Sequence, residues 1–197
     1  MVKKIMDDLY YDSKENYKIE RKNNWKLKLI SKYNKGKGLD IGAGSGRWLD
    51  KFPNWTGIDI DKRSHKNKRI KYGDITKIPF KSKTFNIALT AHILEHVPRN
   101  KTQKAINEIK RVLKKEGILV IFGPNPANHN FYNDPTHINP LNLTALESIL
   151  TNSGFKVIER DYSLYRRLGW SFLLPRFIID IFGQIFLTEY FLVVRKS

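Results

Sequence analysis

The feature that most constrains the fold is a glycine-rich turn directly after a short apolar run, in residues 39–48 (LDIGAGSGRW). Gly42, Gly44 and Gly46 form a G-x-G-x-G pattern, and glycine lets a backbone adopt positive φ and pass close to a ligand. The dinucleotide-binding fingerprint G-x-G-x-x-G would need glycine at position 47, which is arginine here. A turn this tight suits a cofactor without phosphates, although glycine turns also follow strands in many other α/β proteins.

Strand patterns and amphipathic helix patterns alternate along the rest of the chain. Helices are predicted at 14–33, from about residue 45, between Asn100 and Gly117, and at 144–153. The predicted strands cover 38–42, 54–59, 69–73, 85–90, 117–122, 155–162 and 190–195. This alternation predicts an α/β fold with a seven-stranded, mostly parallel sheet and an antiparallel pair at its C-terminal edge. We expect a single domain over 1–197, with an N-terminal helical segment (1–35) and an apolar insertion (163–188) before the last strand.

Two aspartates end the next two predicted strands. Asp59 follows the second strand and Asp74 follows the third. A carboxylate at the first place can accept both hydroxyls of a ribose. One at the second place can accept an adenine amino group, with Ile60 and Ile75 flanking the ring. Either aspartate alone is equally typical of a turn or a helix cap, so the interpretation depends on the spacing of all three features.

Six segments occur in an order that is typical of one enzyme family: LDIGAGSG, GIDID, GDITKIPF, FNIAL, ILEHV and EIKRVLKKEGILVI. Over roughly residues 36–162 the chain resembles the class I S-adenosylmethionine-dependent methyltransferases, in their small, single-domain branch. The resemblance implies a Rossmann-like class I methyltransferase fold, methyltransferase activity and S-adenosyl-L-methionine as the cofactor.

The resemblance also implies where the cofactor binds. Asp40 would support the glycine turn and meet the cofactor's amino group, Asp59 would hold the ribose, and Asp74 the adenine. Thr90 and Ala91, at the end of the fourth strand, would lie near the sulfonium. The full set of implied cofactor-binding residues is Asp40, Gly42, Ala43, Gly44, Gly46, Asp59, Ile60, Asp74, Ile75, Thr90 and Ala91.

Four of the five histidines fall in residues 92–137, where the resemblance places the acceptor pocket. His137 is the first candidate for a catalytic base or acceptor-positioning group, and His92, just after the fourth strand, is the second. A histidine in the place of His137 also commonly ties a loop to the backbone. His129, Asp134 and His137 have spacing that a metal could use, but nothing fixes their geometry, so no metal is expected.

The residues at the end of the fourth predicted strand help to indicate the class of methyl acceptor. Methyltransferases that act on planar nitrogens of bases often carry an Asn/Asp-Pro-Pro-aromatic motif there, whereas this chain reads Leu89-Thr90-Ala91-His92. We therefore expect O-methylation of a small or carrier-linked metabolite, such as a sugar or lipid intermediate. The alternatives are an RNA or protein methyltransferase, and a non-catalytic module that binds the cofactor or nucleic acid.

The chain is strongly basic, with 36 Lys+Arg against 19 Asp+Glu and a net charge of +17. Such a charge attracts nucleic acid, although an AT-rich genome would produce the same lysine excess. The apolar segment 168–187 could touch a membrane surface, complete the core, or form a cap or dimer contact, so a monomer or a homodimer is expected. The lack of cysteine, of an apolar leader and of a spanning segment predicts a cytoplasmic protein.

Overall fold

A computed structural model of the chain describes residues 25–162 and 188–197. By its contacts the chain divides into two compact units, residues 1–32 and 33–197. The predicted N-terminal helix is observed as α1 (Trp25–Tyr33), which buries Leu29 and Ile30. Its predicted portion before residue 25 and the insertion at 163–187 lie outside the described residues. Over the described ranges, no helix is long and apolar enough to cross a membrane.

The second unit contains a seven-stranded sheet in the order β3-β2-β1-β4-β5-β7-β6. The first five strands in that order are parallel, and β7 is antiparallel to both of its neighbours. The predicted mostly parallel sheet with an antiparallel C-terminal pair is therefore confirmed. The strand bounds are β1 Gly38–Ile41, β2 Trp55–Asp59, β3 Ile70–Tyr72, β4 Phe85–Ala91, β5 Leu113–Pro124, β6 Phe155–Tyr162 and β7 Glu189–Lys196.

The strand order reverses between β1 and β4. The chain adds β2 and β3 on one side of β1, and then returns to place β4 on the other side. In open α/β sheets, ligands bind in the crevice beyond the carboxyl ends of the strands at this switch point. The topology therefore places a binding crevice after Ile41 and Ala91, the last residues of the two strands.

The two longer helices of the second unit, α2 (Thr102–Val112) and α3 (Leu143–Asn152), pack apolar faces into the core. In α2 the predicted stripe Ala105, Ile106 and Ile109 is completely buried, as the spacing of a helix with one apolar face requires. Helix α3 begins after Asn142, whose side chain accepts a hydrogen bond from the Ala145 N–H at 2.8 Å. Strands β4 and β5 are buried along most of their length, as parallel central strands should be.

The helix predicted from about residue 45 is wrong. The segment forms consecutive turns, in which the Gly46 N–H donates to the Ala43 carbonyl at 2.8 Å and the Asp50 N–H donates to the Gly46 carbonyl at 3.2 Å. Gly42, Gly44 and Gly46 all have positive φ, which is incompatible with a regular right-handed helix. Only a few residues then remain before Pro53, too few for a stable helix.

The predicted end of α2 is also wrong. The helix ends at Val112 instead of continuing to Gly117, and Leu113 has extended backbone angles. Leu113 pairs with Phe85 of β4, so β5 begins four residues before the predicted strand. Pairing with β4 satisfies the backbone groups of this segment and overrides its local helix preference.

Candidate active site

Strand register brings the ends of three strands together at the switch point. Ile41 of β1 is paired with Ile58 of β2 on one side and with Thr90 of β4 on the other. The residues that follow these three positions, Gly42, Asp59 and Ala91, therefore meet at one edge of the sheet. These are the positions at which the sequence predicts cofactor contacts.

The glycine turn has the conformation that the sequence predicts. Gly42, Gly44 and Gly46 have φ of 73°, 51° and 86°, which L side chains rarely adopt. The Gly42 and Ala43 N–H groups donate to the Ile58 carbonyl at 2.8 and 3.0 Å, which holds the turn against β2. A Cβ at Gly44 would meet no heavy atom within 4 Å, so this part of the turn borders open space where a ligand can approach the backbone.

Asp59 links the glycine turn to the end of β2. Its Oδ2 accepts a hydrogen bond from the Gly44 N–H at 2.7 Å, and its Oδ1 accepts one from the Asp61 N–H at 2.8 Å. The next side chain, Ile60, is 62% exposed, which is unusual for isoleucine at a strand end. The carboxylate could accept hydrogen bonds from ribose hydroxyls, and the exposed apolar side chain could pack against an adenine ring.

Asp40 lies inside the sheet and carries a buried carboxylate. It is 1% exposed, and its Oδ2 has no hydrogen-bond partner among the described residues. Burial, together with the nearby negative charge of Asp59, raises the pKa of Asp40 from 3.8 to about 7, although Arg47 opposes this shift. A cationic group bound beside the turn would give this carboxylate a partner, and the α-ammonium of S-adenosylmethionine is such a group.

The remaining predicted cofactor residues occupy the same edge. Thr90 is fully buried and its hydroxyl has no hydrogen-bond partner within the described ranges. Asp74 lies next to Gly73, whose N–H donates to the Asp59 carbonyl at 3.1 Å, and its own Oδ1 accepts from the Thr76 N–H at 2.7 Å. Ile75 is partly buried and packs against the core, so only part of its surface is left to flank a ring.

His92 lies directly after β4, and two carboxylates flank its ring. Its Nε2 is 2.7 Å from Glu189 Oε1, and its Nδ1 is 3.4 Å from Glu95 Oε1. Its φ of 58° is rare for a residue other than glycine, and such strain often occurs at functional sites. Its N–H donates to the Phe122 carbonyl of β5 at 3.0 Å, which holds the residue in this position.

Sequence reasoning missed both carboxylates beside His92. Glu189 opens β7, and the register that pairs it with Pro124 carries it to the carboxyl end of β5. It is 97 positions from His92 in the chain, so no local pattern could reveal the contact. Glu95 is within the ILEHV segment, and the one available signal was an acidic residue among the apolar residues of this segment.

His137 also lies near this edge of the sheet. Its Nδ1 is 2.7 Å from the Phe131 carbonyl, and its ring centroid is 4.9 Å from that of His96. The Glu95 carbonyl accepts hydrogen bonds from the N–H groups of Ile138 and Asn139, each at 3.0 Å, which ties this loop to the residues after β4. The structure thus gathers His92, His96 and His137 around Glu95.

His129 is exposed and lies outside that group of residues. His129, Asp134 and His137, whose spacing could have suited a metal, therefore do not form one cluster. Asp134 Oδ2 lies 3.7 Å from His137 Nε2, while the other carboxylate oxygen accepts from the Thr136 N–H at 2.8 Å.

Comparison with known proteins agrees with the geometry. Residues 39–121 match the family described as "Methyltransferase domain". An uncharacterised protein of Methanocaldococcus jannaschii, MJ1123, is 31% identical over 151 residues, which cover 68% of this chain and 71% of that protein. A tRNA (carboxymethyluridine(34)-5-O)-methyltransferase of Arabidopsis thaliana is 30% identical over 91 residues, 42% of this chain and 22% of that protein.

Among solved structures, a SAM-dependent methyltransferase from Archaeoglobus fulgidus superposes with a TM-score of 0.74 at 21% identity, over 98% of each chain. At that identity the likeness concerns the fold. Together with the glycine turn and the acidic strand ends, these matches place the chain in the class I S-adenosylmethionine-dependent methyltransferases. It is a methyltransferase, and its cofactor is S-adenosyl-L-methionine.

Proposed function

We propose that this enzyme transfers a methyl group to an oxygen atom of a small or carrier-linked metabolite. The observation that carries the proposal is the pair formed by His92 and Glu189, 2.7 Å apart at the carboxyl end of β4. A hydroxyl acceptor needs a base to take its proton, whereas a neutral amine does not. A histidine oriented by a carboxylate is suited to that task.

His92 would act as the base. Glu189 accepts a hydrogen bond from the Nε2–H, which makes Nδ1 the unprotonated nitrogen that would take the proton of the acceptor hydroxyl. The carboxylates of Glu189 and Glu95, on either side of the ring, stabilise the imidazolium that forms. When bound, S-adenosylmethionine supplies an activated methyl group: the acceptor oxygen bonds to the methyl carbon as the carbon–sulfur bond breaks, and the bonding pair stays on sulfur.

Asp40, Asp59 and the glycine turn would hold the cofactor. Asp40 provides the negative charge for the α-ammonium, and Asp59 provides acceptors for the ribose hydroxyls. Gly44 leaves room for the cofactor to lie against the backbone. Holding both reactants in line supplies most of the catalysis, since the methyl group is already activated.

A group of packed aromatic and imidazole rings around His137 supports a small acceptor. Phe131 is buried, and its ring centroid lies 4.7 Å from that of His137, which in turn contacts His96. Packed rings of this kind, in the loop after β5, would suit a partly enclosed pocket of mixed apolar and polar character. A sugar or a lipid intermediate has that mixture of hydroxyls and apolar surface.

RNA is the second candidate acceptor, and a different observation favours it. The segment just after β2 exposes Lys62, Lys66 and Lys68, so a basic surface lies beside the cofactor-binding edge. Gel-shift experiments across a salt series separate the two acceptors, because an RNA enzyme would lose affinity steeply with salt. Salt-insensitive or absent binding would leave the metabolite proposal standing.

A methyl-transfer assay tests the role of His92. Enzyme is incubated with tritiated-methyl S-adenosylmethionine and fractionated host extract, and the labelled fraction is identified. His92→Ala should lower kcat by roughly 10²-fold or more, with cofactor affinity in calorimetry nearly unchanged. His129→Ala, which changes an exposed histidine, is the matched control and should keep wild-type rates.

Two results would contradict the proposal. Label recovered in RNA or protein, with none in small molecules or lipid, would remove the proposed acceptor class. If kcat is unchanged in His92→Ala and the label is still in the small-molecule fraction, the proposed acceptor class stands but His92 is not the base.

A further inference from the structure

Three potential metal ligands lie together beside His92. Glu95, His96 and His137 each offer one ligand atom, and these atoms lie within 4.8 Å of one another. Glu95 and His96 follow β4 in a short 3₁₀ segment, Leu94–His96, while His137 comes from the loop after β5. The two parts of the chain are joined by the Ile138 and Asn139 N–H groups that donate to the Glu95 carbonyl.

Backbone contacts fix the orientation of both histidines. His137 Nδ1 lies 2.7 Å from the Phe131 carbonyl, and His96 Nδ1 lies 3.1 Å from the Thr136 carbonyl. A carbonyl oxygen can only accept a hydrogen bond, so each Nδ1 must carry the hydrogen. In neutral imidazole, Nε2 then keeps its lone pair, and most metal-binding histidines likewise donate their other ring N–H to a carbonyl or carboxylate oxygen.

Glu95 supplies an independent observation that points to a bound ligand. Its side chain is only 4% exposed, and its Oε1 has no hydrogen-bond partner among the described residues. His92 Nδ1 is 3.4 Å away but makes no hydrogen bond to this oxygen. A buried carboxylate oxygen without a partner is costly, and it points to a cationic group that completes the site.

We propose that Glu95, His96 and His137 bind a divalent transition-metal ion of the zinc type. Two imidazoles and one carboxylate are a ligand set that zinc uses when a further position stays open for water or substrate. Magnesium and calcium prefer all-oxygen ligands, which makes them poor occupants of this site. Zinc bonds of about 2.0–2.1 Å place tetrahedral ligands roughly 3.3 Å apart. The three ligand atoms, which lie within 4.8 Å of one another, should therefore draw together by up to about 1.5 Å when the ion binds.

The role of the ion rests on the proposed function. An acceptor hydroxyl at the open position would lose its proton more readily, because a bound metal stabilises the alkoxide. The proton goes to His92, the oxygen bonds to the methyl carbon, and the carbon–sulfur bond breaks with its electron pair kept by sulfur. The ion keeps its charge throughout, so no oxidant or reductant is needed.

Titration calorimetry with Zn²⁺ tests the site directly, without cofactor or acceptor. Full-length protein freed of metal by chelation should bind one ion, with a Kd below about 10 μM. Glu95→Gln, which keeps the shape of the side chain, and His137→Ala should each weaken that binding at least tenfold. His129→Ala is the control for stray binding by a loop histidine and should bind as the wild type does. Circular dichroism confirms that each variant is folded.

X-ray absorption at the zinc edge gives a second measurement, in which the wild-type spectrum should show two imidazole ligands and a carboxylate oxygen. Failure of the wild type to bind one ion, or equal binding by Glu95→Gln and His137→Ala, would overturn the site. Because these measurements involve no methyl transfer, they remain valid whichever acceptor is found. Chelation that leaves the methyl-transfer rate unchanged would overturn the role of the ion in catalysis.

Discussion

Replacing Asp40 with asparagine should make the cofactor-free protein more stable and the enzyme worse at binding its cofactor. Asp40 is buried, its Oδ2 has no partner among the described residues, and burial raises its pKa to about 7. A buried carboxylate that is preorganised for a cation lowers the stability of the folded protein until the cation binds. Asparagine keeps the shape and removes the charge, so the cost disappears together with the attraction for an ammonium group.

The sign and size of this change in the free energy of unfolding follow from proton linkage. An acid whose folded pKa is raised contributes full stability below its unfolded pKa of 3.8, and that contribution is lost as the pH rises to about 7. Between pH 5 and pH 8, this carboxyl should reduce the free energy of unfolding by about 2–3 kcal/mol. The stability gained in Asp40→Asn should therefore be larger at pH 8 than at pH 5 by that amount.

Urea denaturation of cofactor-free protein at pH 5 and pH 8 measures this difference. Thr90→Val is a matched control, because it removes a buried hydroxyl without a partner in the described structure and introduces no titrating group. Its effect, a gain of about 1 kcal/mol, should be the same at both pH values. Calorimetry at pH 8 should show weaker cofactor binding by Asp40→Asn. A stability difference that is equal at both pH values would refute the reasoning.

Three further substitutions test the glycine turn and the end of β2. Gly44→Ala should fold, with a cost of about 1–2 kcal/mol for a side chain at positive φ, and should lose cofactor affinity in calorimetry because its Cβ would point into the open space. Gly42→Ala, in contrast, would push its Cβ into the Ile93 side chain, so little folded protein is expected on purification. Asp59→Ala should weaken cofactor binding by roughly 1.5–3 kcal/mol for each hydrogen bond lost. If Asp59→Ala binds S-adenosylmethionine as tightly as the wild type, or if the protein prefers NAD, the assignment of Asp59 to the ribose is wrong.

The glycine turn and the aspartates after β2 and β3 could be predicted from the sequence, because each depends on the residue type at one position and on a local strand pattern. Positive φ at Gly42, Gly44 and Gly46 depends on the absence of a side chain at each position, which the sequence states directly. Asp59 and Asp74 follow strand patterns, and parallel strands necessarily end at the same edge of the sheet. The glycine turn and these aspartates thus fell where they were expected, even though the turn was not followed by a helix.

Helix boundaries were less predictable because sheet pairing competes with local preference. Residues 113–116 have a helix-like composition, yet they lie in β5, where Leu113 pairs with Phe85. A sequence pattern gives the tendency of a segment by itself, whereas the neighbouring strand decides which backbone hydrogen bonds it makes.

The sequence by itself determined the fold class and the glycine turn, since both follow from the order of elements and from residue types with special backbone freedom. Only the tertiary structure decided the chemistry beside His92. The antiparallel register of β5 and β7 brings Glu189 across 97 positions to the ring of His92. The loop after β5 brings His137 to Glu95, and burial leaves one oxygen of that carboxylate without a partner in the described part of the chain. Contacts of this kind depend on long-range pairing and burial, which no local pattern encodes.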